Sequence, residues 1–273
     1  MTDSKDEYRL LFAKADDLLF RAERGEVAVS AFLTPAEAHY LVKHLEKSRA
    51  ADRVVFFGGY TGATRTRAFF IPDYILALIS GEEKEEREKL LLPYIADDTA
   101  AAVSSVRIKG SGYRELTHRD YLGSILALGI ERHVVGDIAV LSEHEAVVFA
   151  DPKISDFLIS ELSKVASDDV KCSPAGLDAD FTLPENVEDV VISAASNRID
   201  CIVADLARCS REGAKDLVKS GAVFADYEEV CDPDRKIAAG TVISIRGAGK
   251  FRILDEGTKT RRGRLKIAAQ RFR

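Results

Sequence analysis

Between residues 103 and 170 the chain runs strand, helix, strand, strand, helix, strand, and this order restricts the fold more than any other feature of the sequence. β-prone apolar runs stand at 103–109, 137–141, 146–150 and near Val170, and helical stretches at 117–128 and 151–165 separate them. Two such halves close an antiparallel sheet with two crossover helices, the split-βαβ or ferredoxin-like arrangement.

The flanking segments carry other patterns. From Leu10 to Leu19 apolar residues follow a 3.6 period. Thr34-Pro35-Ala36-Glu37 is close to a capping box with Pro at the first helical position, and it starts a second helix running to about Lys47. Val54–Phe57 and Ala68–Ile71 are apolar runs separated by Gly58, Gly59 and Gly62, which predicts a hairpin whose glycine-rich tip bears Tyr60, Arg65 and Arg67. The charge run at 81–89 reads as a solvated helix face or linker and places a boundary there. Three parts follow, making an α+β protein: a helical and hairpin unit over 1–80, a ferredoxin-like, RRM-like domain over 81–180, and a third domain over 181–273. The middle topology permits RNA contact without demonstrating it, because its third strand, Glu145–Ala150, lacks the interleaved exposed aromatics that stack bases.

Charge is unevenly placed. Residues 1–188 hold 22 Lys+Arg against 33 Asp+Glu, while residues 189–273 hold 17 against 12. A mildly acidic body with a basic end is the outline of a protein that grips an anionic polymer at one end. No apolar run is long enough to span a bilayer, and the first ten residues hold no apolar signal core, so a protein outside the secretory route is expected. Cys172, Cys201, Cys209 and Cys231 form no Cys-x-x-Cys pair and read as reduced core thiols, and the five histidines show no zinc-ligand spacing. Neither metal, cofactor nor small-molecule substrate is expected.

In the third domain Ile199, Ile202, Val203 and Leu206 mark one buried helix face, and Ser210 caps a second helix that carries Ala214, Leu217 and Val218 inward and stops at Gly221. Arg211, Lys215 and Lys219 recur every four residues on its other face. Stacked cations repel one another, a pattern best tolerated when an anion lies across them. Short strands are expected at 223–225, 241–246 and 251–254.

The string Arg198-Ile199-Asp200, Ser210-Arg211, Ala214, Leu217-Val218, Gly221 and Val223, ending in a strand after Gly240, resembles the S4 RNA-binding domain. Asp226 stands where such modules usually present Asn. Gly58-Gly59-Tyr60 with Arg65 and Arg67, then His118-Arg119-Asp120-Tyr121-Leu122-Gly123, Leu128-Gly129-Ile130, Gly136-Asp137-Ile138 and Arg246 to Phe251 together resemble the YlmH family of bacterial S4-domain proteins. Thr64 stands where Glu is expected in that family's loop. The resemblance implies a cytoplasmic, non-catalytic protein that binds rRNA of the large ribosomal subunit, and for some relatives stalled subunits carrying peptidyl-tRNA in ribosome quality control, or a link to cell division. A monomer is expected. The RNA-binding residues implied are Arg198, Asp200, Ser210, Arg211, Lys215 and Lys219, with Arg246 and Lys250 flanking and Arg261, Arg262 and Arg264 adding diffuse attraction. Arg65, Arg67, His118 and Arg119 are candidates for a secondary RNA contact.

Enzyme readings fit less well. His118-Arg119-Asp120 resembles a kinase catalytic loop, but Ile125 stands where magnesium-binding Asn would be. Gly247-Ala248-Gly249-Lys250 evokes a phosphate loop, yet Phe251 replaces the hydroxyl residue and Ser244 the first glycine. A pseudouridine synthase would place its S4 module at the N-terminus and needs an apolar residue between Arg119 and Asp120. A protein-interaction adaptor whose basic end is incidental is the remaining alternative.

Overall fold

The computed structural model describes residues 8–79, 103–177, 181–183, 187–260 and 263–272. The chain divides into two compact units, Met1–Leu183 and Pro184–Arg273. The charge run at 81–89 and the boundary expected in it lie outside the described residues.

In the first unit α1 (Arg9–Glu23) and α2 (Pro35–Lys47) cover an antiparallel sheet ordered β1–β3–β2, built from β1 (Ala28–Leu33), β2 (Val54–Phe57) and β3 (Thr66–Phe70). The start of α2 is fixed locally: Glu37 N donates to Thr34 Oγ1 at 3.2 Å and Thr34 N donates to Glu37 Oε2 at 2.7 Å, a complete capping box. Ala15, Ala22, Leu41, Leu45 and Phe70 form the core beneath these helices. Sequence reading found the β2–β3 hairpin but assigned no strand to β1. A short helix, α3 (Asp73–Leu76), follows β3.

The second sheet of this unit uses β4 (Ser104–Gly110), β5 (Val135–Ser142), β6 (Glu145–Ala150), β7 (Lys164–Val165) and β8 (Asp168–Pro174), ordered β5–β6–β4–β8–β7, with α4 (His118–Ala127) and α5 (Pro152–Glu161) as the crossovers. Without β7 the spatial order is second, third, first, fourth, the split-βαβ order. The helix expected to reach Val165 ends at Glu161, because Lys164 and Val165 turn back to pair with Asp169 and Asp168 through Ala166 at φ 51°. Tyr121, Ile125 and Leu158 bury one face over Val106, Ile108 and Val148. The opposite face carries Ala139, Val147 and Phe149, and Tyr60 and Ala175 close over it. Gly59 allows that closure: it adopts φ 103°, and a Cβ there would stand 2.4 Å from the Phe149 ring.

In the second unit α6 (Ile199–Leu206) and α7 (Arg211–Lys219) lie on a seven-stranded sheet. Its strands are β9 (Val187–Ala194), β10 (Val223–Ala225), β11 (Glu228–Glu229), β12 (Val242–Ile245), β13 (Gly249–Ile253), β14 (Thr258–Lys259) and β15 (Leu265–Phe272), in the path β11–β10–β12–β13–β15–β14 with β9 also on β15. β9 and β15 pair along their whole lengths, from Ala194↔Leu265 to Val187↔Phe272. Sequence reading assigns a strand to neither; its diffuse tail covers only Arg261, Arg262 and Arg264, and β15 starts just beyond, where buried Ile267 and Ala269 alternate with the less buried Lys266, Ala268 and Gln270, the period of a strand. The core joins Ile202, Val203, Ala214 and Val218 to Ile243, Phe251, Ile253 and Ile267.

Of the cysteines, Cys201 is buried, Cys172 and Cys209 are half-buried, and Cys231 is exposed, so the core-thiol expectation is corrected for Cys231. No helix of the described residues is long and apolar enough to cross a membrane.

Candidate nucleic-acid interface

The α6–α7 pair is organised by one buried carboxylate. Asp200, in the first turn of α6, is 0% exposed. Arg198 donates to it from Nε at 3.1 Å and from a terminal nitrogen at 3.0 Å, and Arg211 donates from Nε at 3.0 Å. Burial alone would push the carboxyl upward, but the hydrogen bonds from Arg198 and Arg211 outweigh it, and its pKa falls to about 2. Asp200 is thus ionised at neutral pH and fixes two guanidinium groups while touching no solvent. It positions the candidate interface and does not line it. Arg198 also pairs with Asp234, which leaves Arg211, with 52% of its side chain exposed, as the more available of the two.

Ser210 has a similar supporting part. Its Oγ accepts from Gly213 N at 3.1 Å, capping α7, so the helix starts where Arg211 needs it. Along α7 the stripe of Arg211, Lys215 and Lys219 lies opposite buried Ala214 and Val218. Lys215 is 3.7 Å from Glu212, and Lys219 is exposed. Beside the helix start, Arg211, Arg264, Asp205, Cys201 and Cys209 line a cavity of about 250 Å³.

The flanking residues divide. Arg246 is exposed at the end of β12. Lys250 sits with its Nζ 5.1 Å from the centre of the Tyr227 ring and 5.0 Å from that of Phe272, a cation–π arrangement on β13. Gly247 and Gly249 hold φ 84° and 118° in the turn joining β12 to β13, so this segment is a hairpin turn. Arg264 donates from Nε to Ser193 O at 3.1 Å and to Ser193 Oγ at 3.0 Å, so it clamps β9 to β15 with its charge held in place. Arg261 and Arg262 lie outside the described residues. Asp226 occupies the left-handed region at φ 49° beside Tyr227 at 68°, and its Oδ1 accepts from Val242 N at 2.8 Å. Its carboxylate belongs to a two-residue turn, which tolerates Asp as it does Asn.

In the first unit the four secondary candidates separate clearly. Arg67 is corrected: it is 8% exposed, bonds Ser30 O at 2.7 Å and pairs with Asp151 at 3.0 Å, so it is a core cation with no surface to offer RNA. Arg119 is exposed at the start of α4, and the capping carboxylate of that helix, Asp120, pairs with Arg114 at 3.5 Å. Arg65 and His118 border a cluster that sequence reading missed. Arg65 donates to Val135 O and Phe32 O, each at 3.2 Å, and Arg132 donates to Val135 O and to Gly136 O, the latter at 3.1 Å. Asp137 accepts from Tyr60 Oη at 2.8 Å, Thr64 N at 2.6 Å and Arg65 N at 3.0 Å, tying the glycine-rich loop to β5. Burial and the neighbouring Arg132 push the His118 imidazole below its usual range, against Asp137. The Gly136-Asp137 motif pointed at this place, but nothing in the sequence singled out Arg132.

Residues 101–178 match the family model described as "Putative RNA-binding domain in YlmH". The chain is 27% identical over 250 residues to the Ribosome-associated protein quality control protein P2 of Bacillus subtilis (strain 168), a match covering 91% of this chain and 89% of that protein. A solved structure, Cell division protein ylmH from Streptococcus pneumoniae, aligns at 17% identity with a TM-score of 0.44, covering 64% of this chain and 92% of that one.

Proposed function

Because the chain is YlmH-like, matching that family's RNA-binding domain over 101–178 and a ribosome-associated relative along most of its length, we propose that it is an RNA-binding, ribosome-associated factor of the cytoplasm without catalytic activity. Its second unit acts as an S4-like domain that docks on rRNA of the large subunit, and the particle it serves is a stalled subunit still carrying peptidyl-tRNA. The first unit adds weaker contacts that help select the particle. The observation that carries this reading is the α7 edge: Arg211, set by buried Asp200, continues into Lys215 and Lys219 on one side of a capped helix. Guanidinium and ammonium groups at that spacing suit successive phosphates and read no base sequence, as expected of a contact with structured RNA.

The test is co-sedimentation of the purified chain with large subunits across a salt series, wild type against Lys215→Gln/Lys219→Gln. Arg211 is left intact because it holds Asp200. Two lost phosphate contacts lower the slope of log K on log salt by roughly 1.8, at the roughly 0.9 per phosphate of a B-form duplex. An unchanged slope would remove α7 from the interface, and capture of a protein partner with no subunit association would favour an adaptor.

A further inference from the structure

The Arg65–Arg132 cluster has a charge arrangement unlike the rest of the first unit. Both guanidinium groups bond the same oxygen, Val135 O, so their donating nitrogens lie within about 6 Å of each other. Among the described residues neither has a carboxylate within ion-pair distance; both are anchored by backbone carbonyls, which orient a guanidinium without neutralising it. Glu37 and, less strongly, Asp137 favour the Arg65 charge through space, and Asp137 favours that of Arg132. The Asp137 oxygens already take three donors, from Tyr60, Thr64 and Arg65. Both arginines are half-buried; burial disfavours the charged form of each, and the Arg65 charge adds to this at Arg132. Compare Arg67, in the same unit and more deeply buried, which has its own acid in Asp151. Two fixed, partly desolvated guanidiniums that converge on one carbonyl, with no ion-pair partner among the described residues, make a cradle for a tetrahedral anion.

We propose that Arg65 and Arg132 form a phosphate-binding site, and that its occupant is a backbone phosphate of bound RNA. This rests on the RNA-binding reading above and adds a second point of attachment, distinct from α7. Arg65 and Arg132 grip one phosphate between them.

The experiment titrates a fluorescently labelled RNA stem-loop into the full-length chain at several KCl concentrations. Arg132→Gln should weaken binding several-fold and lower the salt slope by about 0.9, one phosphate contact. Arg132→Lys keeps the charge and should keep the slope, although it equally loses the paired carbonyl bonds, so a purely structural effect would strike both variants alike. Adding Arg65→Gln to Arg132→Gln should change the slope little further, because one phosphate is shared. Thermal melting in inorganic phosphate, against chloride at equal ionic strength, distinguishes a site for free phosphate: stabilisation of wild type that Arg132→Gln abolishes, with an unchanged RNA slope, would overturn the RNA assignment. A slope unchanged in Arg65→Gln/Arg132→Gln while Lys215→Gln/Lys219→Gln still loses contacts would sink this site and leave the RNA reading standing. Absence of RNA binding by wild type would sink both.

Discussion

Asp200→Asn isolates the group on which the α6–α7 edge depends. The wild-type carboxyl falls from its ordinary pKa of 3.8 to about 2 in the folded chain. A carboxylate whose folded value is depressed contributes stability that is fully present above the unfolded pKa and is lost as pH falls through the folded one, here between roughly pH 4 and pH 2. At about 1.4 kcal/mol per tenfold in the proton equilibrium, the contribution at neutral pH is about 2 kcal/mol. Asparagine fills the same space and keeps one acceptor, but leaves two guanidiniums side by side with no charge between them. Breaking a fully buried pair costs about 3–5 kcal/mol; Arg198 and Arg211 are 30% and 52% exposed and can regain water, so the expected loss lies near 2–3 kcal/mol, at or below that range. Urea unfolding followed by circular dichroism, for both proteins over a pH series, reads it directly. The gap between wild type and variant should be full at pH 7 and shrink by more than half by about pH 2.5. A gap that stays constant over the series would show that the charge on Asp200 does not stabilise this helix pair.

Two further substitutions probe the first unit. Gly59→Ala should destabilise the chain by about 2–4 kcal/mol, since the new Cβ meets Phe149 at 2.4 Å and the residue must hold φ 103°; denaturant midpoints measure it, and a change below about 0.5 kcal/mol would mean that the loop does not seat on the sheet. Arg67→Gln should cost about 3–5 kcal/mol by leaving Asp151 uncompensated, yet should not alter the salt slope of RNA binding in the fraction that stays folded; a slope change would return Arg67 to the interface.

What could be read from sequence was what is determined locally. The limits of α2 follow from Thr34, Pro35 and Glu37, and those of α7 from Ser210 and the inward row of Ala214 and Val218; each signal lies within the element it defines. β15 was not legible because its partner β9 lies more than 70 residues upstream, and because Lys266 and Arg271 disguise an alternation that Ile267 and Ala269 complete. Arg65 and Arg67 show the same limit for side chains. They stand two residues apart, chemically identical in the sequence. Only the fold brings Asp151 to one and a shared carbonyl to the other. Asp200 sits inside a recognised motif, yet its part as a buried clamp appears only when Arg198 and Arg211 converge on it.

These cases argue for sorting cations by partner before counting them. Arg67 and Arg198 face carboxylates, so their charge is spent within the protein. Arg65, Arg132 and Arg264 face carbonyls, which fix direction and leave the charge intact. Lys219 and Arg246 face solvent. Net charge blurs the three classes: it counts Asp200 against the basic unit, although that carboxylate is what aims Arg211 outward. It also marks residues 1–188 as repelling RNA, with 33 acids against 22 bases, although two of those bases lie together with no carboxylate at ion-pair distance among the described residues. Coulomb attraction at a half-buried site is set over a few ångströms and at lower effective dielectric, whereas the remaining acids of the body act through water and salt over distances near the Debye length of about 8–10 Å. An acidic body can therefore hold a phosphate at one point while repelling bulk RNA everywhere else, a combination that favours a correctly shaped particle over generic duplex.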